Sequence, residues 1–184
     1  MVSVELAQSA QDLAPPDIVG AWEAARQEDM GVVRVGCAAG VMHDGSLLVA
    51  GGDELEAGGA AAESRAVERY EPGRNAWSTV APLREARGQC RGCVTAAGDF
   101  VVSGGRGQNS APLRSVEVFQ LPRDGRPAPG EPDAEWWARG TWVVLPPMRH
   151  GRIHHTTCNL GNDVLVMGGR QGPWGDTDLN DEVR

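Results

Sequence analysis

Ser46-Leu47-Leu48-Val49-Ala50-Gly51-Gly52 is a short apolar run that ends in a glycine pair. It returns as Asp99-Phe100-Val101-Val102-Ser103-Gly104-Gly105 and again as Asp163-Val164-Leu165-Val166-Met167-Gly168-Gly169. A buried strand that stops at a Gly-Gly turn, met three times in one chain, is an internal repeat, and it governs how every neighbouring segment is read. Upstream of each run lies a small-residue strand opened by an arginine: Arg34 to Val41, Arg87 to Ala96, Arg152 to Asn159. Downstream come a variable loop and an alternating strand, Ala66-Val67-Glu68-Arg69-Tyr70 in one unit and Ser115-Val116-Glu117-Val118-Phe119 in the next. A tryptophan strand follows, Asn75 to Val80 or Gly140 to Leu145. It closes on Pro82-Leu83 or Pro147-Met148, four residues before the next arginine. One unit is therefore four short strands, with a period of roughly 50 residues.

Physical chemistry favours stacked sheets independently of the repeat. Strands apolar on both faces, such as Leu47 to Val49 and Val164 to Met167, must be covered on both sides. Sheets packed face to face around an axis do this, and Gly36, Ala38, Ala39 and Gly40 suit a crowded centre. The glycine pair supplies φ freedom where a side chain would clash. The three glycine pairs, the Tyr70 to Trp77 spacing, the Trp-Pro-Arg order in two units, and Val67-Glu68-Arg69-Tyr70-Glu71-Pro72 running to Asn75-Ala76-Trp77 give the chain its likeness. On these marks it resembles the kelch-repeat β-propellers over nearly its whole length. The resemblance implies an all-β propeller with the arginine strand innermost and the tryptophan strand outermost in each four-stranded blade.

The repeat divides the chain into four parts. Residues 1–33 read as the third and fourth strands of a preceding blade. Val2 to Ala7 is comparable with Ser115 to Val118, and Ala21-Trp22 matches Ala76-Trp77. An amphipathic helical start over Val4 to Leu13 is the alternative there. Residues 34–86 form one blade, whose loop Asp53 to Ser64 is expected to be mobile. Residues 87–151 form a second blade with an insertion, 122–139, expected to be a solvated excursion with Trp136-Trp137 as its one sticky element. Residues 152–184 begin a further blade. This amounts to about three blades, whereas propellers close with four to eight, and an open arc leaves unpaired edges. The expected contexts are a piece of a longer propeller, half of a six-bladed ring made by a homodimer, or a small irregular closed form, in that order.

The 184 residues carry a net charge of −8 and no lysine, every basic side chain being arginine. That charge argues against broad binding to nucleic acid or to anionic membranes. No apolar run reaches the length of a membrane span, and the first residues lack the basic and apolar segments of a signal peptide. A cytoplasmic location is the expectation.

Candidate site residues follow from the repeat. Arg106 and Arg170 each follow a glycine pair, while Arg84, Arg114 and Arg149 sit on adjoining loops. By resemblance these loops form one face that binds partner peptides. There Arg106, Arg170 and Arg114 would offer fork-shaped donors to the carboxylates of an acidic peptide, with Trp174 as a candidate hot spot. Gly51, Gly52, Gly104, Gly105, Gly168, Gly169, Tyr70, Trp22, Trp77, Trp142, Arg87 and Arg152, with Arg34, are read as structural marks of the repeat.

Cys37, Cys90 and His155 share one repeat position. Cys90-Arg91-Gly92-Cys93 has no second pair at zinc spacing, so these thiols are read as buried and free, and His150, His154 and His155 as non-ligating. No metal, cofactor or catalytic residue is expected. Asp44 to Gly52 also resembles galactose-oxidase-like propellers, but their copper site needs two tyrosines and this chain has one, Tyr70. There is no P-loop, G-x-S-x-G or H-E-x-x-H. The resemblance implies a protein-recognition module, closest to the kelch halves of BTB–kelch adaptors that select substrates for ubiquitin ligases. The alternative is a segment of a kelch-type enzyme or sugar-binding propeller whose catalytic residues lie elsewhere.

Overall fold

The computed structural model describes residues 29–55, 61–126, 133–161 and 163–172, together with the backbone of two short strands, β1 (Glu5–Ala7) and β2 (Trp22–Ala24). The architecture is all-β, built from antiparallel sheets. One four-stranded sheet has the order β4 (Ala38–Val41), β5 (Leu47–Ala50), β8 (Val67–Glu71), β9 (Ala76–Val80). A second has the order β10 (Arg91–Val94), β11 (Phe100–Ser103), β12 (Val116–Gln120), β13 (Thr141–Leu145). The pair β14 (Thr156–Leu160) and β15 (Asp163–Met167) repeats the first half of that pattern. Strand β1 pairs with β2 so that Ala7 faces Trp22. The same register sets Tyr70 against Trp77 and Phe119 against Trp142. Glu5–Ala7 is thus extended rather than helical, and the remainder of Val4 to Leu13 lies outside the described residues, as do Trp174 and residues 173–184.

Alternation and burial explain the sheets. Phe100-Val101-Val102-Ser103 is buried at every position, as the apolar run predicts. The main core joins Leu48, Ala50 and Val67 of the first sheet to Phe100, Val102, Phe119 and Trp142 of the second, with Leu83 and Cys90 from the link between them. Trp142 packs on Phe119 and Phe100 at 5.3 and 6.3 Å between ring centres, and its indole N–H donates to the Ala81 carbonyl at 2.7 Å. An outer-strand tryptophan therefore ties one blade to the last residues of the blade before it. Burying an aromatic side chain of this size contributes about 2–3 kcal/mol.

The glycine pairs are where consecutive blades touch backbone to backbone. Gly52 N–H donates to the Arg87 carbonyl and Gly105 N–H to the Arg152 carbonyl, each at 2.8 Å. A Cβ on Gly51 would lie 2.7 Å from the Arg87 carbonyl oxygen, and one on Gly104 equally close to that of Arg152. All four glycines have φ between 53° and 100°, so both space and conformation demand glycine.

Two expectations are corrected. The loop after Gly52 is not wholly a mobile excursion: its ends form β6 (Asp53–Leu55) and β7 (Ala61–Glu63). β6 pairs with β7 on one side and with β3 (Arg34–Val35) on the other, making a small three-stranded sheet. The insertion is not solvated throughout either: residues 134–138 form a helix, α1 (Ala134–Ala138), that docks on the first blade. Trp137 is buried, stacked on Phe119 at 6.0 Å, with the Arg69 guanidinium 4.2 Å from its ring centre. Arg69 also grips Asp133 through two hydrogen bonds, of 2.6 and 3.0 Å, which hold the Asp133 carboxyl below its ordinary pKa. A buried cation over an indole supplies what water would otherwise give.

Candidate functional site

The strands order the molecule's two ends. The β4–β5 and β10–β11 turns lie at one end, and the glycine pairs, β6–β7 and the links between blades at the other. The arginine that opens each blade sits beneath this second end. Arg87 is fully buried. One guanidinium nitrogen donates to the carbonyls of Gly104 (2.7 Å) and Ser115 (3.1 Å), the other to Glu117 (2.8 Å) and to the Ser115 hydroxyl. Arg34 repeats the set with the carbonyls of Gly51 and Ala66 and with Glu68 at 2.5 Å. Arg152 donates to the Gly168 carbonyl at 2.6 Å. The glutamates in turn accept from the incoming link, Glu68 from Gly31 N–H and Glu117 from the N–H groups of Arg84 and Glu85. Each pair pins a link onto the second and third strands of the blade it leads into.

Glu68 and Glu117 are not among the candidates that the sequence alone singles out. The signal was present: both stand two residues into the third strand, at a buried position where an aliphatic residue would be the default.

Above these clamps lies the loop face. Arg106 stands at its centre, donating to Asp53 at 2.9 Å and facing Glu63 at 3.0 Å; Gln89 holds the other Asp53 oxygen at 2.6 Å. Residues 36, 89 and 154 occupy one repeat position and all have φ between 51° and 64°. Gln89 and His154 hold this left-handed conformation without being glycine, which carries a strain of about 1 kcal/mol or more. The position orients their side chains around the inner rim. Partial burial and then the guanidinia of Arg170 and Arg91 keep the exposed His154 imidazole below its ordinary pKa, against the opposing pull of Asp53. Arg170 is joined to Ile153 by a reciprocal pair of backbone hydrogen bonds, both 3.0 Å. Beside the charged centre, Val33, Val35 and Leu55 present an exposed apolar ledge, between 44% and 51% accessible.

The other sequence candidates are placed as follows. The Arg114 side chain donates to the Met148 carbonyl at 2.8 Å, the bond that Arg65 makes to Leu83 at 2.6 Å in the preceding blade, so part of its role belongs to the repeat. Arg84 reaches the Trp142 carbonyl at 2.8 Å on the outer strand β13. Arg149 is exposed one residue after Met148. The structure thus gathers Arg106 and Arg170 with Gln89, His154, Asp53 and Glu63, and sets Arg84 apart on the flank.

Cys90 is buried, with its Sγ 3.7 Å from the Ala50 carbonyl oxygen, and burial raises its thiol pKa to about 11, which makes it a poor nucleophile. Among the described residues no three His, Cys, Asp or Glu side chains are grouped to hold a metal ion. No helix among them is long and apolar enough to cross a membrane.

The human protein Kelch-like protein 34 is 32% identical to this chain over 106 residues, 58% of the chain and 14% of that protein. No family model matches the chain. The chain thus spans about one seventh of that relative's length. Together with the four-stranded antiparallel sheets, the likeness places the fold as part of a kelch-type propeller.

Proposed function

We propose that this chain is a protein-recognition module that takes its partner on the loop face. The observation that supports this best is the convergence on one face of a charged centre and an apolar ledge. Arg106 sits between Asp53 and Glu63, with Gln89, His154 and Arg170 around it. Val33, Val35 and Leu55 supply the apolar neighbour. Interfaces draw their energy from a few such anchors rather than from total area. An extended acidic peptide would exchange its carboxylate for that of Glu63 on Arg106 and lay an aliphatic side chain on the ledge. The likeness to Kelch-like protein 34 supports a binding role over a catalytic one. We further propose a cytoplasmic location and, from the repeat in the sequence, a division of the chain at 1–33, 34–86, 87–151 and 152–184. Substrate recognition for a ubiquitin ligase is the form of this role suggested by the family resemblance of the Tyr70 to Trp77 stretch.

An array of extended acidic peptides, probed at low and high salt, tests this reading. Selective, salt-sensitive binding is expected, with loss in the Arg106→Ala/Arg170→Ala double variant and a partial loss in Arg106→Lys, which keeps the charge without the fork. Because Arg106 balances the buried Asp53 carboxylate, the double variant is also expected to melt slightly lower. Binding that survives the double variant unchanged, or that spreads evenly over the array, sinks the proposal.

A further inference from the structure

The opposite end of the strands holds a cleft that the recognition role does not use. Its volume is about 260 Å³, and it opens where the β4–β5 turn, the β10–β11 turn, the segment after β12 and helix α1 meet. Its floor is apolar, made by Met42, Leu121, Pro122 and one face of Trp136. The charges around it divide into spent and unspent. Asp44 accepts from the backbone and hydroxyl of Ser46 and pairs with Arg69. Asp99 pairs with Arg123 and accepts from Gln120. Arg126 has no carboxylate within ion-pair distance among the described residues; its guanidinium instead lies 5.8 Å from the ring centre of Trp136. The Trp136 indole N–H is buried and has no acceptor among the described residues. The cleft therefore offers an apolar floor, one uncommitted cation, Arg126, and the exposed imidazole of His43, which also lines it; the buried indole N–H lies out of reach of a ligand oxygen.

We propose that this cleft binds a small aromatic carboxylate. The ring would lie on the apolar floor against Trp136. The carboxylate would take Arg126. The volume lies just below the usual range for small-molecule sites and suits no more than one fused ring system. Trp136 packs edge-on against its neighbour Trp137, which is held by Phe119 of its own blade and by Arg69 of the first, so the site depends on the insertion staying seated between them.

Titration of the full chain with 2-naphthoate, followed calorimetrically and through the Trp136 indole N–H resonance, tests the assignment. Trp136→Phe identifies that resonance by removing it. Saturable one-to-one binding is expected, with a Kd of roughly 0.1 mM for a ligand of this size. Arg126 is exposed, so Arg126→Gln should fold normally and bind at least tenfold more weakly. The neutral 2-naphthamide should lose as much, and Trp136→Phe several-fold. Equal binding by Arg126→Gln or by the amide overturns the proposal. So does a failure to saturate at millimolar ligand, or a shift confined to loop-face residues. Since the loop face lies at the far end of the strands, its peptide binding is expected to be unaffected by either variant.

Discussion

Arg87 and Arg69 are both buried guanidinia set against carboxylates, yet they owe their surroundings to different parts of the sequence. Arg87 is served by its own repeat: Gly104, Ser115 and Glu117 stand where Gly51, Ala66 and Glu68 stand around Arg34. Arg69 is served by an insertion. Asp133 and Trp137 come from a segment with no counterpart in the other blades, and Asp44 and Glu71 complete its surroundings at 3.4 and 3.5 Å. The first site is a device of the fold, copied with each blade. The second is a local fastening that joins one blade to an addition carried by the next. Loss of the first should therefore loosen the whole domain, and loss of the second should free one segment.

The largest expected effect is that of Arg87→Ala. Leaving Glu117 buried without its cation should cost about 3–5 kcal/mol, read as a fall in the urea midpoint. Glu117→Gln keeps an acceptor and should cost roughly 1–2 kcal/mol. A midpoint for Arg87→Ala close to that of the parent would break the comparison, since the repeated clamp would then carry no more weight than a surface pair. Next comes Trp137→Ala, which removes a buried indole from between Phe119 and Arg69 and should cost about 3 kcal/mol. Hydrogen exchange sharpens the contrast: protection should vanish first in residues 133–139, while β10 to β12 stay protected. Uniform loss of protection would show that the insertion is as integral as the clamp.

An effect that appears only on acidification concerns His155, which stands at the repeat position of Cys37 and Cys90. It is buried, bonded to the Ser103 hydroxyl at 2.9 Å, and burial, followed by the charges of Arg91 and Arg152, lowers its pKa to about 4. The unfolded chain takes up this proton near pH 6.5 and the folded chain near pH 4. The stabilisation is therefore complete above about pH 6.5 and is lost as pH falls toward 4. On the order of 3 kcal/mol should disappear across that window. His155→Cys, which restores the residue found in the other two units, should flatten the slope. An unchanged pH dependence in that variant would rule His155 out as its source.

This contrast also explains what could be read in the sequence. Whatever recurs was legible: the glycine pairs, the opening arginines, and the Tyr70–Trp77 and Phe119–Trp142 registers all announce themselves by repetition. The docking of α1 was not legible, because Trp136-Trp137 within a Pro-, Gly- and charge-rich stretch has no second copy to show which face it seeks. Strands β6 and β7 escaped for another reason. Three residues each are too few to establish an alternation against the glycine- and alanine-rich loop between them. At the loop face the position of Arg106 could be read, but not its carboxylate partners, since Asp53 and Glu63 come from the blade before it. Glu68 and Glu117 could have been found by asking why an acid recurs on a buried strand.

The bond from Gly52 to the Arg87 carbonyl bears on how such a chain can be cut and pasted. The chemistry that finishes one blade is supplied by the first residue of the next. A chain truncated at the tryptophan strand would thus lack its own final fastening. The interchangeable module is accordingly offset from the visible sheet, running from one opening arginine to the next. A duplication or deletion phased on those arginines keeps every junction intact, whereas one phased on the sheets severs a junction at both ends.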